Sequence, residues 1–168
     1  LGLGNMDAIY FSLEDMGDNL PTVDFGTGRT ATAIAAGVSH TCALLDNDVL
    51  KCWGKNSVGQ LGLGDTENRG DEPNEMGNDL PAVDLGTGRT ATTIVTGPHC
   101  NCALLDNGAL KCWGANYSGQ LGLGDYSNRG DNPNEMGDNL PAVDVGTDRT
   151  ATAIAAGGGH NCALLDNG

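Results

Sequence analysis

The sequence repeats with a period of 60 residues. Positions 31–90 align without a gap to 91–150 and agree at 41 of 60 places. Gly37, Gly97 and Gly157 hold the register, as do Cys42, Cys102 and Cys162. Leu1 to Gly4 fall on Leu61 to Gly64, and Met16 falls on Met76. The chain therefore carries about 2.8 copies of one unit, and a period of tens of residues implies a solenoid, a propeller or an array. The units divide as 1–19 (partial), 20–79, 80–139 and 140–168 (partial). In such folds each unit leans on its neighbours, and function sits on a surface that several units build. The chain opens inside a unit and stops inside a hairpin motif, which predicts a piece of a longer protein.

Twenty-seven glycines and 4% aromatic residues suit a turn-rich all-β protein better than a helical bundle. No stretch keeps a period near 3.6. The net charge of −14 is spread along the chain, with nine acidic and four basic side chains in 31–90 and seven and three in 91–150. No Lys/Arg cluster is present to neutralise phosphates, so this segment is not expected to bind nucleic acid or an anionic membrane.

Within one unit, short apolar and β-branched runs alternate with turn signals. Ala82–Leu85, Ala91–Thr96, Asn101–Leu105 and Ala109–Trp113 predict four strands in an up-and-down meander. Asp106-Asn107-Gly108 is the strongest turn signal. A three-residue loop with Gly108 in the left-handed region sets Cys102 opposite Cys112, close enough for a disulfide. Cys42 and Cys52 share this spacing, with Asp48 in the glycine's place. The nine-residue spacer fits cross-strand disulfides better than zinc, whose cysteines usually stand two to four residues apart. Reduced, half-buried cysteines are the third reading. Disulfides would favour an extracellular or other oxidising compartment. Cys100 and Cys162 are left unpaired, Cys162 because its partner would fall ten residues on.

The run His40 to Asp46, then Val49 to Gly54, Asn56 and Gly59 to Gly64, resembles the repeat of the regulator of chromosome condensation family. It recurs at 101–124, and the resemblance covers essentially the whole chain. That family lies in a propeller superfamily with the β-lactamase-inhibitor protein II. The resemblance implies a partial β-propeller of four-stranded antiparallel blades, about seven in the full-length form. The family's usual repeat is shorter, and the extra stretch here falls within 68–80 and 128–140. Family functions diverge: guanine-nucleotide exchange on a small nuclear GTPase with chromatin docking, ubiquitin-ligase modules, photoreceptors and protein inhibitors of β-lactamase. The photoreceptor-type Gly-Trp-Arg-His-Thr is absent, since Gly37-Val38-Ser39-His40-Thr41 stands there.

Residues copied from unit to unit are expected to hold the fold. These are Gly37, His40, Trp53, Gly54, Asn56, Gly59, Gln60 and Gly62, then Gly97, Trp113, Gly114, Asn116, Gly119, Gln120 and Gly122, then Gly157 and His160. Trp53 and Trp113 are expected between blades. Cys100 stands where His40 and His160 stand. No Ser/His/Asp or Cys/His spacing marks a catalytic constellation. Asp125 to Gly130 only weakly matches a calcium loop, because Arg129 occupies a ligand position. Arg-Gly-Asp at 69–71 and 129–131 carries little information about adhesion. Gly62-Leu63-Gly64 is not a phosphate loop, as no helix follows. Ala8 to Leu13 departs from the repeat, as a partner patch or a decayed segment.

These readings converge on a non-enzymatic protein-interaction scaffold without cofactor, metal or catalytic residues. The alternatives are an exchange factor for a small GTPase and an extracellular inhibitor or adhesion module.

Overall fold

The computed structural model describes residues 2–4 and 16–168. The divergent segment 8–13 lies outside the described residues. The chain is all-β, as the turn-punctuated apolar runs dictate. β1 (Ala31–Ala36), β2 (His40–Leu45) and β3 (Leu50–Gly54) form one antiparallel sheet. β4 (Ala91–Thr96), β5 (Cys100–Leu105) and β6 (Leu110–Gly114) form a second. β7 (Ala151–Ala156) and β8 (Asn161–Leu165) pair in a third. Short 3-10 turns at Gly17–Asn19, Gly77–Asp79 and Gly137–Asn139 punctuate the connections.

Hairpin register follows from turn chemistry. Gly108 and Asp48 both adopt positive φ, 80° and 64°. Asp tolerates that region better than most residues. Cys42 then faces Cys52, and Cys102 faces Cys112. Both pairs are disulfide-bonded with Cα atoms 4.1 Å apart. They are buried where one sheet packs on the next. Cys42, Leu44, Leu50 and Cys52 share a core with Ile94, Leu105 and Trp113 of the second sheet. Cys102, Leu110 and Cys112 pack with Ile154 of the third.

β1, β4 and β7 lie side by side, so the sheets stack around their first strands as propeller blades do. Each first strand is bulged where Thr32, Thr92 and Thr152 turn a hydroxyl to the carbonyls of Leu44, Leu104 and Leu164. Glycine is required at the strand ends. A Cβ on Gly37 would stand 2.7 Å from the Gly97 carbonyl oxygen, and one on Gly97 3.2 Å from that of Gly157.

One expectation is corrected. The first two sheets have three strands each rather than four, and the anticipated strand at Ala82–Leu85 is an irregular segment. Pro81 has no N–H, and Asp84 Oδ1 accepts from Gly86 N at 2.9 Å, which turns the chain away. A single ladder-like bond survives, from Val83 N to Leu50 O of the preceding sheet at 2.8 Å, and Val143 N reaches Leu110 O likewise at 2.7 Å. The outer edge is otherwise covered by a lone bridge of Gly54 with Arg69, repeated by Gly114 with Arg129. Val83 and Leu85 are buried by side-chain packing without a ladder.

Each disulfide closes a loop of about ten residues, worth about 2–3 kcal/mol by chain entropy. Replacing Cys102 and Cys112 together by Ala should lower unfolding stability by that amount in urea titrations. Peptide mapping without reductant should recover the 42–52 and 102–112 cross-links. Free thiols at these positions in fresh protein would contradict the assignment.

Candidate interaction surface

The repeat motif builds a clasp between blades. Asn56 organises its own loop: Leu61 N donates to its Oδ1 at 2.9 Å, and its Nδ2 donates to Asp65 O at 2.9 Å. Asn116 repeats this with Leu121 and Asp125. The loop so held aims the Gln60 carbonyl at the next blade. That oxygen accepts from Asn101 Nδ2 at 2.5 Å and from Trp113 Nε1 at 3.3 Å. Asn101 Oδ1 in turn meets His40 Nε2 at 2.8 Å. His40, Gln60, Asn101 and Trp113 are all buried.

The glycines of the motif permit this approach. Gly62 sits with φ 68° where a Cβ would meet Trp113 Nε1 at 2.8 Å. Gly64 N donates to Gly130 O of the next unit at 3.0 Å. Gly59 lies against the Gly130–Asp131 backbone. Gly54 and Gly114, at φ 103° and 100°, stand where a Cβ would strike the Ser39 and His99 carbonyls.

The asparagine-to-carbonyl bond of the clasp recurs one blade on. Asn161 Nδ2 donates to Gln120 O at 2.8 Å, but Cys100 replaces the histidine. Its sulfur lies 3.8 Å from Asn161 Nδ2, and Asn161 Oδ1 is buried without a partner. Burial pushes the Cys100 thiol above its ordinary pKa, which suppresses the reactive thiolate. His160 and Cys162 are exposed, with the His160 ring beside Gly157.

Two side chains that sequence reasoning overlooked brace the connections. Lys51 and Lys111 are buried mid-strand. Lys111 Nζ donates to Gly137 O at 2.7 Å and Leu85 O at 3.0 Å. Lys51 Nζ bonds Gly77 O at 2.6 Å and Phe25 O at 3.3 Å. The signal was a lysine inside the apolar run Leu-Lys-Cys-Trp, copied in both units. Glu75 was also missed: its Oε2 gathers the amides of Gly70, Asp71 and Glu72. Glu135 does the same for Gly130 and Asn132.

The other candidate chemistries are absorbed by the scaffold. Asp125 accepts from Arg129 Nη2 at 2.5 Å, from Asn116 and from Ser127 N. The Arg129 guanidinium holds its carboxyl below the usual range. Arg69 is bound to Asp65 at 2.7 Å, and Gly70 is buried, so that Arg-Gly-Asp run is committed internally. Among the described residues, no group of three or more His, Cys, Asp or Glu is placed to hold a metal.

What faces solvent differs from what is copied. Val38 is 70% exposed where Pro98 and Gly158 stand in the other units. Tyr117 and Tyr126 are 67% and 74% exposed where the first unit has Ser57 and Thr66. A groove of about 610 Å³ runs between Gly62–Gly64 and the Pro133–Asn139 stretch, with Pro81 and Asp84 on its wall. An equivalent groove lies one unit back, at Gly2–Gly4.

Blades, clasp and motif together define a repeat propeller. Models described as "Regulator of chromosome condensation (RCC1) repeat" match residues 31–60 and 92–120, and 107–164. The chain belongs to the RCC1 repeat family. It is 37% identical over 94 residues to the X-linked retinitis pigmentosa GTPase regulator of Mus musculus, covering 56% of this chain and 9% of that protein. It is 33% identical over 139 residues to the mitochondrial RCC1 domain-containing protein RUG3 of Arabidopsis thaliana, covering 82% and 28%. Its fold is similar to human WBSCR16 with a TM-score of 0.61 at 20% identity, covering 88% of this chain and 34% of that one. It is also similar to Prp20p of Saccharomyces cerevisiae, a protein that binds Gsp1p and histones. There the TM-score is 0.56 at 22% identity, covering 81% and 30%. The chain thus spans between 9% and 34% of each of these proteins.

Two tests follow from the clasp. Burial holds the His40 pKa below 6.5, outweighing the Asn101 bond. The unfolded chain therefore binds the extra proton first as pH falls. The His40 contribution is whole above about pH 6.5 and is lost as pH falls toward the folded pKa. The parent should lose more stability between pH 7.5 and 5 than His40→Gln does, read from urea midpoints. Lys111→Met should cost about 2 kcal/mol, because two buried carbonyls lose a charged donor. A midpoint equal to the parent's would remove Lys111 from the account.

Proposed function

We propose that this chain is part of a protein-interaction scaffold built from RCC1 repeats. One observation carries the reading. Polar side chains copied between units, Asn56 and Asn116, Lys51 and Lys111, make their hydrogen bonds inside the frame, while several large side chains that differ between units stand exposed. Asn56 and Asn116 hold their own loops, and Lys51 and Lys111 brace the connections. Val38, Tyr117 and Tyr126 are free to be read by a partner. A repeat array that holds its frame with constant residues and presents variable ones is suited to recognising another protein. The two disulfides support an oxidising compartment as its setting.

The likeness in fold to Prp20p supports a second reading, guanine-nucleotide exchange on a small GTPase. The identity of 22% leaves no exchange surface to carry over residue by residue.

Affinity capture on the immobilised chain, followed by titration with each purified captured protein, tests the first reading. A saturable complex that survives moderate salt is expected. Failure to find any saturable protein partner would overturn it. Nucleotide release from a GTPase panel tests the second, and release at the spontaneous rate would reject it.

A further inference from the structure

Tyr117 and Tyr126 stand at the two ends of one fixed loop. Asn116 closes that loop from inside, through Leu121 N, Asp125 O and Asn128 Oδ1 at 2.9 to 3.0 Å. Tyr117 Oη lies 3.5 Å from Asn128 Nδ2. The Tyr126 ring passes 3.7 Å from the Cβ position of Gly119. Both rings otherwise face solvent. The first unit builds the same loop with the same bonds from Asn56, yet carries Ser57 and Thr66 at these places. The loop therefore does not need the tyrosines in order to fold.

We propose that Tyr117 and Tyr126 form a docking site, particular to the second unit, for an arginine- or lysine-bearing segment of a protein partner. The proposal rests on the scaffold reading and gives it a place and a partner chemistry. Aromatic faces attract cations, with guanidinium the more frequent guest. Exposed tyrosine on a rigid loop brings large contact area at little ordering cost. The surroundings are anionic. The chain carries a net charge of −14. Asp131 and Glu135 follow on the same connection, and Asn128 bonds toward both Tyr117 and Asp131. Burial and the neighbouring Glu135 raise the Asp131 pKa. A cationic segment is steered by the negative field of the chain, whereas an anionic one is repelled.

The probe is a fluorescein-labelled peptide of alternating Gly and Arg, with a Gly/Glu peptide as its counterpart. Both are titrated by anisotropy against the full chain at physiological salt. Saturable binding of the Arg peptide alone is expected. Tyr117→Ala with Tyr126→Ala should weaken it about tenfold, while the paired Phe changes keep the ring faces and most of the affinity. Ser57→Tyr with Thr66→Tyr should install a second site and raise the stoichiometry from one peptide to two. Arg-peptide binding unchanged in the alanine pair, or no added site in the first unit, would overturn the proposal by showing that general acidity suffices. A captured protein partner that binds the alanine pair as tightly as the parent would also overturn this site, while leaving the scaffold reading intact.

Discussion

The structure depends on one carbonyl oxygen. Gln60 O receives Asn101 Nδ2 and Trp113 Nε1, both from the next blade, and the asparagine is steadied by His40 of the first. A blade of three short strands cannot bury its own apolar faces, so stability must come from stacking. The clasp fixes how the stack is made. It ties a loop of one unit to the second and third strands of the next, and it does so inside a core where an unmet donor would be costly. The glycines of the motif serve this arrangement by clearing the space that Trp113 and the Gly130–Asp131 backbone occupy.

Much of this was legible because it rests on local chemistry. The hairpin around Asn107 and its cysteine pairing follow from a turn residue and a spacing. Gly37, Gly97 and Gly157 marked the register, and the first two lie against the carbonyl of the next unit's glycine. The position of Trp113 between blades followed from its ending a strand at a repeated place. The first strand expected at 82–85 was misread for a physical reason. Its apolar alternation serves to bury Val83 and Leu85, and periodicity records burial rather than ladder bonds. Pro81 and the Asp84–Gly86 turn should have counted against it.

Other parts were not legible. Lys111 finds Leu85 and Gly137 carbonyls 26 residues away on either side, and a backbone acceptor leaves no trace in sequence. Glu75 and Glu135 likewise serve amides of their own loop. The partner of His40 is Asn101, an ordinary residue at the front of a strand until the next blade is placed beside it. The replacement at Cys100 is informative for that reason. It leaves Asn161 Oδ1 unpaired, so the second clasp keeps its asparagine-to-carbonyl bond and loses its buttress. The two seams therefore differ in the side-chain bonds around the shared asparagine-to-carbonyl contact.

The central claim is that the clasp makes neighbouring blades one cooperative body. Native-state hydrogen exchange tests it most directly, by following the amides of Leu44 in β2 and Leu104 in β5 with and without Asn101→Ala. Coupled blades require that both amides exchange with the same opening free energy in the parent, and that this single substitution lowers protection in both. Different opening energies in the parent, or a loss confined to Leu104, would contradict it.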